Sequence, residues 1–179
     1  MKVAIYSRGG ETVQAQDLIN LTEALLNAGI SPVMYSALRH QFQTELSAHY
    51  DEAAGLQSFA DASDLDDSFD ALISLGGDGT LLDTVCLVRD KKIPVLGINF
   101  GRLGFLASLG KENLDAVVQA LATRSYVVDQ RTLIHMDANI PLFGDTPYGL
   151  NEFAIHKRDT SSMIKIHTYL NGEFLNTYW

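Results

Sequence analysis

Apolar residues in the first 126 positions fall into short continuous runs separated by stretches of helical period. Val3–Tyr6 is such a run and ends at Ser7-Arg8-Gly9-Gly10, which predicts a strand and a turn. Between Thr12 and Ala28, Val13, Leu18, Leu21 and Leu25 recur at helical spacing, and Gly29 stands where a C-terminal cap belongs. Pro32–Tyr35 reads as a second strand, and residues from about Arg39 to Tyr50 as a more polar helix. Asp61–Asp70 carries five Asp in ten residues and reads as a solvated loop. Phe69–Leu75 predicts a third strand, Thr80–Arg89 a helix, and Ile93–Ile98 a fourth strand apolar enough to be buried on both faces. Glu112–Ala122 is a helix with Leu114, Val117, Val118 and Leu121 on one side.

This alternation predicts an α/β fold, a Rossmann-like and mostly parallel sheet with helices on both faces. In such sheets ligands bind at the carboxyl ends of the strands, where the turns Gly76–Thr80 and Asn99–Gly104 fall. From about Val127 the pattern changes. Arg131–Ala138 alternates, Tyr148–His156 is strand-like, and Met163–Tyr178 predicts a hairpin around Asn171-Gly172. The expected division is an α/β domain over residues 1–126, then the beginning of an incomplete β-rich domain over residues 127–179.

Composition narrows the function. The 179 residues form one large domain or one domain and part of another, and 46% hydrophobic content suits a soluble globular chain. A formal charge of −9 argues against nucleic acid or an acidic membrane as partner, so an anionic ligand must be held by local donors. Cys86 is the only cysteine, which excludes an internal disulfide and a cysteine-rich metal site, and its apolar helix suggests a small core residue. Met1-Lys2 leads straight into a strand, with neither a signal peptide nor a transmembrane span in view, and a cytoplasmic location is expected.

The run Leu75-Gly76-Gly77-Asp78-Gly79-Thr80 carries the strongest chemical signal. Glycines let phosphate oxygens approach main-chain N–H groups, and a helix starting near Thr80 adds its N-terminal dipole. Asp78 is the odd member, because a carboxylate repels phosphate. It makes sense as acceptor of a proton from an attacking hydroxyl or as a holder of a divalent metal; the alternative is a tight turn with Asp78 as helix cap. A second glycine-rich turn, Gly97-Ile98-Asn99-Phe100-Gly101-Arg102-Leu103-Gly104-Phe105-Leu106, follows the next strand. Asn99 can bond a ribose or a base edge, Arg102 can meet phosphate or solvent, and Phe105 can cover an adenine or join the core. In Leu150-Asn151-Glu152, an adjacent amide and carboxylate can read two sugar hydroxyls. Arg8, beside Gly9-Gly10, is a further candidate phosphate contact. The histidines show no metal-ligand spacing, and no residue is assigned to a metal site.

These three segments, in this order, resemble the NAD kinase family. Gly76-Gly77-Asp78-Gly79-Thr80 is also shared with phosphofructokinases and with lipid kinases; Asn99–Leu106 and Leu150-Asn151-Glu152 narrow the likeness. Lipid kinases place Asn-Glu almost directly after the glycine motif, where this chain has Leu81-Leu82-Asp83. The resemblance implies transfer of a phosphoryl group from ATP, or polyphosphate, to the 2′-hydroxyl of the NAD adenosine ribose, giving NADP. It also implies a divalent metal such as Mg, and a homodimer or homotetramer with the active site between an α/β and a β-rich domain. Asp78 would activate the hydroxyl, Gly77 and Gly79 would shape the phosphate cradle beside Thr80, Phe105 would lie near the adenine, and Asn151 and Glu152 would hold ribose hydroxyls. Asn99, Arg102 and Arg8 complete the candidate nucleotide contacts. The family has a further Thr/Gly/Ser/Ala/Tyr-rich motif shortly beyond a segment like Asn171–Trp179, and the expectation is a chain truncated before it. The alternatives are another kinase with the same glycine motif, or a nucleotide-binding fragment without catalysis.

Overall fold

The computed structural model describes residues 1–9, 13–50, 55–101, 104–144, 146–158 and 163–179. Its centre is a parallel sheet of six strands: β1 (Lys2–Tyr6), β2 (Ser31–Tyr35), β3 (Gln57–Phe59), β4 (Ala71–Leu75), β5 (Val95–Asn99) and β6 (Leu109–Gly110). Their order across the sheet is β3-β2-β1-β4-β5-β6, every pairing parallel. The chain turns outward in one direction from β1 and in the other from β4, so the crevice between the carboxyl ends of these two strands is the topological switch point.

Burial on both faces explains the continuous apolar runs. Val3 and Ile5 of β1 enter one core, and Ala4 and Tyr6 enter the other. The first core packs against α1 (Ala15–Asn27), α2 (Ser36–Gln41), α3 (Gln43–His49) and α5 (Leu114–Ala122), through residues such as Leu18, Leu25, Leu38, Leu46, Val118 and Leu121. The second contains Val33, Phe59, Leu65, Phe69, Leu72 and Ile93, covered in part by Leu87 and Val88 of α4 (Asp78–Val88). An α/β fold with a parallel sheet and helices on both faces is therefore observed.

Several elements differ from the expectations. The helix expected over Arg39–Tyr50 is two short helices joined at Phe42, whose buried ring anchors the break. The acidic stretch Asp61–Asp70 holds a 3-10 turn at Ala62–Asp64, and its three apolar residues, Ala62, Leu65 and Phe69, are buried. Asp61 and Asp64 form a reciprocal capping box around that turn, Asp66 accepts from the Ser68 N–H and Asp70 from the Lys2 N–H, so four of the five acids organise backbone. The short strands β3 and β6 were not expected; three and two residues are too few for a periodic signal. Cys86 is exposed on α4, a correction to its expected core position. That helix buries Thr80 and Thr84 instead, because the sheet face beneath it meets the polar side of its first two turns.

Beyond α5 the chain forms short antiparallel pieces: β7 (Ile134–His135) with β8 (Tyr148–Gly149), and β9 (Ile166–Leu170) with β10 (Glu173–Tyr178). The second pair is the expected hairpin, turning at Asn171 and Gly172 with φ of +52° and +89°. The longer strands expected over Arg131–Ala138 and Tyr148–His156 shrink to two residues each. Among the described residues, none after Leu121 is buried. With no apolar layer against them, alternating side chains have no face to define and the ladders stop early.

Candidate active site

Three strand ends converge on the site. Tyr6 ends β1, Leu75 ends β4 and Asn99 ends β5, and β1, β4 and β5 are neighbours in the sheet. The turn after β4 is tied to the next strand by the Gly76 N–H, which donates to the Ile98 carbonyl at 2.9 Å. Gly76 has φ of +149°, and a Cβ there would lie 2.9 Å from the Thr80 Cβ, so only glycine lets the chain fold over the buried Thr80. Gly77 is the N-cap of α4, with no side chain to occupy the first N–H groups. Asp78 and Gly79 thus open the helix with backbone donors that lack intrahelical partners, in the field of the helix dipole.

Asp78 is the first residue of α4, two positions earlier than the expected helix start at Thr80. Its carboxylate does not cap its own helix. Oδ2 accepts from the Phe105 N–H at 2.8 Å, and Oδ1 accepts from the N–H groups of Leu106 and Ala107 at 3.0 and 2.9 Å. These three donors hold the carboxyl below the usual aspartate range, the Ala107 N–H contributing most. Asp78 is therefore ionised at neutral pH and braces the loop between β5 and β6 against the start of α4. Asn99 braces the same loop from inside. Buried at the end of β5, it donates from Nδ2 to the Ala107 carbonyl at 3.3 Å and accepts at Oδ1 from the Gly101 N–H at 2.8 Å.

The loop presents Phe105 outward, its side chain 98% exposed. The choice left open by the sequence is thereby resolved against a core position. Arg102 and Leu103 lie outside the described residues. Thr80 is buried under the turn and donates its N–H to the Gly77 carbonyl at 3.0 Å. Asn151 and Glu152 are both exposed, just past β8, which runs close to α4.

Arg8 follows β1 and faces α4. Its Nε and Nη2 donate to the two carboxylate oxygens of Asp83, the latter at 2.6 Å, and the Tyr6 hydroxyl donates to Asp83 Oδ2 at 3.0 Å. Hydrogen bonding from Arg8 holds the Asp83 carboxyl low, while burial first and then Asp83 push the Tyr6 phenol up. Sequence reasoning missed Asp83 and Gly104. The signal for Asp83 was a single acid in the otherwise uncharged helix segment Thr80–Val88. Gly104 had none beyond its place among other glycines, because its partner is 26 residues away in the chain.

The sequence pattern described as the ATP-NAD kinase N-terminal domain matches residues 10–126, more than half of the chain. The chain belongs to the NAD kinase family. Within that family it is 38% identical to the NAD kinase of Flavobacterium psychrophilum, over all of this chain and 60% of that protein. It is 52% identical to the NAD kinase of Cytophaga hutchinsonii over 110 residues, 62% of this chain and 38% of that one. The chain thus spans between about two fifths and three fifths of these NAD kinases' length. The crystal structure of yeast NADH kinase complexed with NADH matches with a TM-score of 0.74, covering 98% of this chain and 54% of that one at 18% identity. At that identity the likeness establishes a shared fold.

Proposed function

We propose that this site phosphorylates the 2′-hydroxyl of the NAD adenosine ribose with ATP or polyphosphate as donor. The observation that carries the reading is the link between Asp78 and Phe105. The Phe105 N–H bonds the Asp78 carboxylate while the Phe105 ring stands open to solvent. In adenosine the base and the 2′-hydroxyl are adjacent, so a base stacked on Phe105 brings that hydroxyl toward Asp78. A carboxylate has about four acceptor positions, and the three loop N–H groups leave room for one hydroxyl.

Phosphoryl transfer asks little covalent work of the protein; positioning and charge neutralisation dominate. The ribose oxygen attacks the terminal phosphorus, the bond to the departing phosphate chain breaks, and the hydroxyl proton passes to Asp78. The open N–H groups at Gly77, Asp78 and Gly79, Arg8 and Arg102 would offset phosphate charge, with Thr80 fixing the turn from below. Asn99 holds the loop and thereby Phe105, and Asn151 and Glu152 would meet ribose hydroxyls. A divalent metal such as Mg would arrive with the donor. Among the described residues no group of three or more His, Cys, Asp or Glu could hold a metal; a metal held mainly by the donor's phosphate oxygens would suit the single carboxylate of Asp78 beside the turn.

The same reading divides the chain into an α/β domain over residues 1–126 and the start of a β-rich, NAD-binding part over 127–179. It is supported by the lack of buried residues after Leu121 among those described. A homodimer or homotetramer would cover some of the apolar side chains exposed there, such as Phe174 and Trp179. No helix among the described residues is long and apolar enough to cross a membrane; a cytoplasmic setting remains part of the proposal. The test offers NAD, fructose 6-phosphate and diacylglycerol side by side with ATP and Mg. NADP as the product supports the reading. Product from either other acceptor alone overturns it, and calorimetric binding of NAD without product assigns the chain a binding role only.

A further inference from the structure

Tyr6, at the end of β1, and Arg8, just past it, reach Asp83 of α4 at the mouth of the switch-point crevice. Their arrangement is directional. Asp83 takes the Nε and Nη2 edge of the guanidinium in a fork, and Tyr6 donates to the same carboxylate and fixes its rotamer. The guanidinium then lies against the backbone at Gly79, where a Cβ would be 3.3 Å from Nη1 and 3.8 Å from Cζ. Arg8 remains 58% exposed despite the pairing. Its Nη1 edge, with two N–H donors, is uncommitted among the described residues and stands beside the first turn of α4.

One carboxylate engages only one edge of a guanidinium, so the fork to Asp83 leaves the Nη1 edge available for a second acceptor. Arginine is a planar fork, so fixing one edge fixes the direction of the other. In a chain of net charge −9, a cation held in place beside the turn does more for an anion than one moving freely in solvent. We infer that Asp83 is a positioning residue, braced by Tyr6, that presents the Nη1 edge of Arg8 to the donor polyphosphate. The inference rests on the proposed phosphotransfer reading and adds to it the residue that aims Arg8.

Calorimetry with tripolyphosphate and with ATP tests it on the full chain, using Asp83→Asn, Arg8→Ala, Arg8→Lys and the double variant Asp83→Asn/Arg8→Ala. Loss of one oriented, charge-assisted contact weakens binding by about tenfold or more. Asp83→Asn and Arg8→Ala are each expected to show that loss. Arg8→Lys, which keeps the charge but not the fork, is expected to match Arg8→Ala. The double variant is expected to be no weaker than Arg8→Ala alone, because Asp83 acts through Arg8. Additive losses, unchanged affinity in Asp83→Asn beside a lowered melting temperature, or no tripolyphosphate binding by the parent chain each overturn the inference. Formation of NADP is measured separately. Coupled loss of tripolyphosphate affinity in a chain that makes no NADP overturns the acceptor assignment and leaves the role of Asp83 standing.

Discussion

Gly104 packs directly on Asp78: a Cβ at position 104 would stand 2.6 Å from the Asp78 Oδ2. The loop can deliver three N–H groups to one carboxylate because no side chain intervenes at its start. Gly104→Ala forces the Asp78 carboxylate and the loop apart. Overpacking of this kind costs about 1–3 kcal/mol. We expect urea unfolding to show a loss in that range, with NADP formation falling further than stability because the geometry around Asp78 is lost. An unchanged midpoint with full activity contradicts this contact.

Asp78 is expected to matter twice, as proton acceptor and as brace. General-base assistance contributes about 10²- to 10⁴-fold. Asp78→Asn should lower turnover by about that factor. Its amide also presents N–H groups to N–H groups, so hydrogen exchange at Phe105, Leu106 and Ala107 should quicken. Slower turnover with unaltered exchange would leave the acceptor role and remove the brace; faster exchange with normal turnover would do the reverse.

The brace has a pH signature. The Asp78 carboxyl is lowered in the folded chain by the three N–H donors. Its contribution is therefore fully present above the ordinary aspartate range and is lost as pH falls through the lowered folded value. Exchange protection of the 105–107 amides, measured as a function of pH and corrected for intrinsic rates, should hold through neutral and mildly acidic conditions. It should decline only below the range in which free aspartates titrate. Release of the loop near neutral pH would show another group in control.

Asn99 is buried and serves the Ala107 carbonyl and the Gly101 N–H at once. Asn99→Leu removes the partner of both and leaves the buried Ala107 carbonyl unpaired, which costs about 1–3 kcal/mol. A thermal melt should show the loss. The variant should also bind ADP less well than the parent, because the loop carrying Phe105 is no longer held.

Phe105→Ala separates binding from folding. Its ring is 98% exposed, so stability should change by less than about 0.5 kcal/mol. Stacking of a base on an aromatic ring contributes about 1–3 kcal/mol, so affinity for adenine nucleotides should fall by roughly fivefold to a hundredfold. Equal affinity in parent and variant would take the adenine away from this ring.

Much of this architecture was legible locally. The runs at Val3–Tyr6 and Ala71–Ile73 are buried on both sides, and such strands announce themselves by unbroken apolar sequence. The helix at Ala15–Asn27 and the hairpin at Asn171-Gly172 follow from period and turn chemistry over a few residues. The glycines around Asp78 could be read as a turn because glycine's freedom is a property of one residue. The apolar look of Thr80–Val88 misled for Cys86, since composition does not say which side of a helix meets the sheet.

The sequence by itself determined the α/β alternation, the strand-to-helix turn at Gly76–Thr80 and the candidacy of Asp78, because periodicity and backbone freedom act over a few adjacent residues. Tertiary structure alone decided that Asp78 reaches across to Phe105, Leu106 and Ala107, that Gly104 clears its path, and that Asp83 takes one edge of Arg8. Those pairs lie up to 75 positions apart along the chain. Only the parallel crossovers, which bring the carboxyl ends of β1, β4 and β5 side by side, close the distance, and no local pattern encodes which residues will then touch.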